Sequence, residues 1–128
     1  MQSKKPSQYS PLVLAYIGDS IYEVYVRSRV IREHEDMPAY KLHRLTIEYV
    51  KAHAQSNSME TLEPVLTEAE LVVYKRGRNA KSATVPKNAD LTDYRRATGF
   101  EALVGWLYLS GENERLDEIM KIAYESAH

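Results

Sequence analysis

Ser10-Pro11-Leu12-Val13-Leu14-Ala15-Tyr16-Ile17-Gly18-Asp19-Ser20-Ile21-Tyr22-Glu23-Val24-Tyr25-Val26 mixes residues that favour strands with a spacing that favours a helix. Tyr22, Val24, Tyr25 and Val26 suit a pleated surface. Against this, no turn residues bound the run, and Leu12, Ala15, Tyr16, Asp19, Tyr22, Glu23 and Val26 recur at the helical period. Ser10 is a favoured N-cap type, and Pro11 occupies the first helical position, where its missing N–H costs nothing. The stretch therefore predicts a helix reaching about Ile31.

The same reasoning extends to the rest of the chain. Pro38 opens a second predicted helix with Leu42, Leu45, Tyr49, Val50 and His53 on one side, ending near Asn57. Met59 to Leu66 reads as a short helical turn broken by Pro64. Thr67-Glu68-Ala69-Glu70 has the capping-box pattern and starts a helix ending near Gly77. Ser82 to Asp90 has the composition of a loop. Thr92 or Asp93 caps the next helix, which runs through Leu109 to a stop at Ser110-Gly111. A last helix, about Glu112 to Ser126, turns Leu116, Ile119, Met120 and Ala123 inward. No strand is expected, so the fold class is all-α.

Length and composition narrow the function classes. The 128 residues suit one domain, its core spanning about residues 10 to 126. With 44% hydrophobic and 27% charged residues, the chain has the material for a core and lacks a disorder-like composition. Its longest apolar run, Leu12 to Ile17, is far short of the roughly 20 residues that span a bilayer. No signal-peptide core follows Lys4 and Lys5, and the expected location is the cytoplasm. The absence of cysteine excludes disulfides, thiolate metal sites and a cysteine nucleophile. The formal net charge is only -1, but it is unevenly spread. Leu71 to Ala89 carries Lys75, Arg76, Arg78, Lys81 and Lys87 and no acid, whereas the other twelve basic residues face all eighteen acidic ones, a formal -6.

Two carboxylates stand in apolar surroundings. Asp19 follows Gly18 between Ile17 and Ile21, and Glu101 shares a helical face with Ala97, Thr98, Val104, Gly105 and Tyr108. A buried carboxylate needs a hydrogen-bond partner or a cation. Gly18 and Gly105 remove side chains beside both, which would let two helices approach until both acids reach one hard cation. Mg²⁺ suits such oxygen ligands. The alternative is that both acids point outward or bond to tyrosines and arginines. The basic segment likewise reads either as a solvated face or as an RNA contact, with Arg95 and Arg96 extending it or pairing with acids. Ten tyrosines raise the prospect of base stacking. The placing of Tyr16, Tyr22, Tyr25, Tyr49 and Tyr108 within amphipathic helices favours core or dimer packing instead. His34, His43, His53 and His128 form no metal motif and are assigned no role.

Leu14-Ala15-Tyr16-Ile17-Gly18-Asp19-Ser20-Ile21-Tyr22-Glu23 resembles the signature helix of ribonuclease III, and Thr98-Gly99-Phe100-Glu101-Ala102-Leu103-Val104-Gly105-Trp106-Leu107-Tyr108-Leu109 resembles its second metal-binding helix. The resemblance is closer to Mini-III, the small bacterial branch without a separate RNA-binding domain, through Lys75-Arg76-Gly77-Arg78-Asn79-Ala80-Lys81-Ser82 and Pro86-Lys87-Asn88. It implies a homodimeric, Mg²⁺-dependent endonuclease that cuts double-stranded RNA and matures the ends of precursor large-subunit (23S) ribosomal RNA, with a ribosomal protein as a candidate presenter of the substrate. It makes Asp19 and Glu101 the catalytic, metal-holding pair, with Thr98 able to act through water. It makes Lys75, Arg76, Arg78, Asn79, Lys81, Lys87 and Asn88 the RNA contacts. The chain departs from the larger enzymes at Ala15 and Thr98, where they carry acids, and this puts a two-metal arrangement in doubt. Glu23 offers another carboxylate or a structural hydrogen bond. Two readings compete with the nuclease: a catalytically silent protein of the same fold that binds ribosomal RNA, and a helical dimer acting as an adaptor.

Overall fold

A computed structural model describes residues 4–81 and 85–128. Its principal helices are α1 (Pro11–Glu33), α2 (Ala39–Val50), α3 (Ala52–Leu62), α4 (Glu68–Asn79), α5 (Leu91–Leu109) and α6 (Asn113–Glu125), with 3₁₀ turns at Pro6–Gln8 and Glu63–Val65. Among the described residues there is no strand, so the fold is all-α. No helix among them is long and apolar enough to cross a membrane.

Side-chain caps start three of the six principal helices. The Ser10 hydroxyl accepts the Val13 N–H at 3.2 Å to start α1. At α4 the Thr67 hydroxyl accepts the Glu70 N–H at 3.2 Å, while the Glu70 carboxylate accepts the Thr67 N–H at 2.9 Å. Helix α5 starts two to three residues earlier than expected. Asp90 is the cap, accepting the Asp93 N–H at 2.9 Å, because it is the first acid in the segment with extended backbone. The other end matches the sequence reading. Gly111 has φ of 72°, and the Glu112 N–H returns to the Leu107 carbonyl at 3.0 Å.

The single helix expected from Pro38 to Asn57 is two. Lys51 has extended backbone, φ -63° and ψ 154°, which ends α2 and starts α3 in a new direction. Leu42, Leu45, Tyr49 and Val50 pack against the core as expected, but His53 lies beyond the break and is exposed. Met59 to Leu62 are the last turn of α3, and only Glu63–Val65 forms the short turn at Pro64. The loop expected from Ser82 to Asp90 falls partly on residues 82–84, outside the described residues.

Helix α5 is the centre of the domain and packs on α1, α3, α4 and α6. Its buried residues include Phe100, Leu103, Val104 and Leu107, which meet Tyr22 and Val26 of α1 and Ile119 of α6 in the main core. Tyr22 and Phe100 are in edge contact at 4.8 Å between ring centres. The inward residues expected of α6 are all buried.

Candidate functional site

The α1–α5 crossing is a contact of backbone with backbone. A Cβ on Gly18 would lie 1.8 Å from the Glu101 carbonyl oxygen, and one on Gly105 would lie 1.9 Å from that of Leu14. Gly18 meets Glu101, whereas Gly105, four residues further along α5, meets Leu14, four residues back along α1. The two helices therefore run in opposite directions. Only glycine permits this approach.

The crossing brings together the two acids that the sequence singled out. Asp19, next to Gly18, is exposed, and Glu101 is half-buried, with the two carboxyl groups within hydrogen-bonding reach. Burial, then the neighbouring Asp19 charge, pushes the Glu101 carboxyl up from 4.5 to about 8, opposed by a hydrogen bond from Gln55. Gln55 of α3 is 2% exposed. Its Nε2 donates to the Val50 carbonyl at 2.8 Å and to Glu101 Oε2 at 3.4 Å. Its Oε1 is buried without a hydrogen-bond partner among the described residues. Gln55 was not legible in the sequence: it stands in the polar run His53-Ala54-Gln55-Ser56-Asn57, with nothing to mark it.

The other site candidates fall as follows. Thr98, one turn before Glu101, is half-buried, and its hydroxyl donates to the Tyr94 carbonyl at 3.0 Å, leaving its oxygen lone pairs available. Ala15, one turn before Asp19, is buried with Leu14, Val73 and Ala102, so an acid there would sit in an apolar cluster. Glu23 pairs with Arg27 at 3.0 Å on the surface of α1. Among the described residues no group of three or more histidines, cysteines or acids is placed to hold a metal ion. Asp19 and Glu101 nevertheless fit one hard cation: two adjacent carboxyls, one with its proton affinity raised, and against Glu101 a buried amide whose own oxygen has no donor among the described residues.

Lys75, Arg76, Asn79 and Lys81 are exposed along the end of α4 and just past it, and Arg78 is half-buried over the Tyr74 ring at 5.7 Å. The Arg78 Nε–H donates to Asn79 Oδ1 at 3.2 Å, and an Arg76 N–H donates to the Ser7 carbonyl at 3.4 Å. Lys87 and Asn88 form an exposed turn, with Asn88 at φ 69°. Arg95 lines one hollow with Arg78 and Asn79 and another with Lys81, which adds it to the basic surface. Arg96 is held inward, by Ser56 at 3.3 Å and by the Tyr74 hydroxyl. Gly77 is what seats α4: its added Cβ would lie 2.9 Å from the Gly99 Cα.

Residues 12–112 match the Ribonuclease III domain, the class of protein to which this helical fold belongs. A crystal structure of a Fusobacterium nucleatum protein superposes with a TM-score of 0.84 at 30% identity, covering 96% of this chain and 98% of that one. The Mini-ribonuclease 3 of Clostridium tetani is 53% identical over 90% of this chain and 76% of its own length. That of Brevibacillus brevis is 50% identical over 95% and 90%. The chain belongs to the Mini-ribonuclease 3 family, as its sequence resemblance implied, and its role is that of a ribonuclease.

Proposed function

We propose that this ribonuclease is a Mg²⁺-dependent endonuclease acting in the cytoplasm as a homodimer on double-stranded RNA, each subunit cutting one strand. Its substrate is the paired ends of precursor 23S ribosomal RNA. The observation that carries this reading is the placing of Asp19 of α1 within hydrogen-bonding reach of Glu101 of α5 across the glycine crossing, with the basic end of α4 packed on that same helix α5.

Asp19 and Glu101 would hold the cation, with Thr98 assisting through water. Mg²⁺ neutralises charge on the scissile phosphate and makes water a stronger nucleophile. Water adds to phosphorus, the bond from phosphorus to the 3′ oxygen breaks, and that oxygen takes up a proton, giving 5′-phosphate and 3′-hydroxyl ends. Asp19, being exposed, faces the incoming strand, while Glu101 is anchored from beneath by Gln55. Lys75, Arg76, Arg78, Asn79, Lys81, Lys87 and Asn88 grip phosphates and 2′-hydroxyls, so recognition follows the shape of the helix more than its sequence. Exposed Leu12, Val13 and Tyr16 on α1 and Tyr108 and Leu109 at the end of α5 support a second copy as partner.

The test is to incubate long double-stranded RNA with the wild type and with Asp19→Asn, each with Mg²⁺ and with chelator, and to analyse the ends. Cleavage by the wild type with Mg²⁺ alone is expected. RNA binding without cleavage by either protein would instead identify a silent ribosomal-RNA-binding member of the fold, the reading that Ala15 and Thr98 favour. Sedimentation as a monomer at working concentration would overturn the dimer.

A further inference from the structure

The break at Lys51 and the burial of Gln55 belong together. In an unbroken helix the Val50 carbonyl would accept the Ala54 N–H. Extended backbone at Lys51 diverts the chain at that point, and the Val50 carbonyl instead takes an N–H of the Gln55 side chain at 2.8 Å. This bond fixes the orientation of the amide. A carbonyl oxygen can only accept, so the amide cannot flip without placing two acceptors face to face. With Nε2 thus set, its second N–H is directed to Glu101 Oε2 at 3.4 Å. The amide oxygen is left as a buried acceptor without a donor among the described residues. A bare structural amide would be expected to satisfy both of its ends, since an unmet buried acceptor is costly.

From this geometry we infer that Gln55 is a positioning residue of the cation site: it orients the Glu101 carboxylate through Nε2. The inference rests on the reading of Asp19 and Glu101 as the cation-holding pair. Ligating carboxylates are themselves hydrogen-bonded, and loss of such an outer partner weakens metal affinity by roughly 10- to 100-fold. A contact of 3.4 Å is long for the purpose, and it shortens when its acceptor is an ionised carboxylate paired to a cation. Gln55 makes none of the bonds of the reaction. It acts through Glu101.

Mg²⁺ binding without RNA is the decisive measurement, made by calorimetry on full-length wild type, Asp19→Asn, Gln55→Met and Ser58→Ala. Ser58 is the structural control, because it is buried in the same helix and donates to the Ala54 and Ala123 carbonyls, away from Glu101. The expected result is Mg²⁺ affinity about 10-fold or more weaker in Gln55→Met, unchanged in Ser58→Ala at a comparable loss of thermal stability, and lost in Asp19→Asn. Wild-type affinity in folded Gln55→Met overturns the role of Gln55 while leaving the cation site standing. Absence of binding by the wild type overturns the site itself. Should Gln55→Met fail to fold, the wild type still decides the matter. The Gln55 side-chain amide resonances must shift as Mg²⁺ saturates, and resonances that stay in place overturn the inference.

Discussion

Burial and the neighbouring Asp19 disfavour the charged form of Glu101, and this has a measurable consequence. Its carboxyl titrates near 8 in the folded chain against 4.5 in a free one. Between those values the folded state holds a proton that the unfolded state has released, so stability falls as pH rises through that window. Thermal melts of the metal-free protein from pH 5 to 8.5 should show this decline. Asp19→Asn removes the like charge but not the burial, so it should make the decline shallower without removing it, while abolishing cleavage. The opposite slope would contradict the placing of the two acids. Gly105→Ala tests the crossing beneath them. A methyl group 1.9 Å from the Leu14 carbonyl must force the helices apart, at a cost of at least about 1–3 kcal/mol. Urea unfolding would read that loss, and cleavage should fall further than stability alone accounts for. At this scale the sequence was informative, because a carboxylate beside a glycine, found twice on apolar faces, signals close approach around a charge. It could not supply Gln55, whose partner Glu101 is 46 residues away.

Among the elements, capping residues fixed what could be read. The starts of α1 and α4 and the end of α5 lie where Ser10, Thr67 and Gly111 placed them. The division of α2 from α3 was hidden, because the residue with extended backbone is a lysine, which carries none of the marks of glycine or proline. The cap of α5 was misplaced because Asp90, Thr92 and Asp93 all have suitable side chains within four positions. The capping box of α4 does more than start a helix. Glu70, 4% exposed, also takes two N–H groups of Arg115 at 2.8 Å each, and Arg115 donates to the Val65 carbonyl at 2.9 Å. This ties the first turn of α4 to α6. Arg115 holds the Glu70 carboxyl below its ordinary range, so the pair's contribution is present above the unfolded carboxylate value and is lost as pH falls through the folded one. Arg115→Met should cost about 3 kcal/mol at neutral pH by stranding a buried carboxylate, and should blunt the acid limb of the stability curve. Denaturant titrations at pH 7 and pH 3.5 would check both.

For the whole molecule, charge distribution matters more than net charge. Five positive charges between Leu71 and Ala89 oppose a formal -6 elsewhere, so a nearly neutral protein presents one basic face. Binding to double-stranded RNA should weaken steeply with salt, and the slope of log affinity against log salt should drop by about one for each phosphate contact removed, for example in Lys75→Gln or Lys81→Gln. A slope that stays constant in both variants would remove these lysines from the interface. The arrangement of the helices would set where the proposed RNA grip lies relative to the proposed cut. Gly77, beside the basic residues, rests on Gly99, and Gly99 is two residues from Glu101 on the same turn of α5. On the proposed function, the span from phosphate contacts to scissile bond would be set by this contact of α4 with α5 and would work as a caliper. Lengthening the connection between α4 and α5 should alter how tightly RNA is held while leaving the cleavage position unmoved.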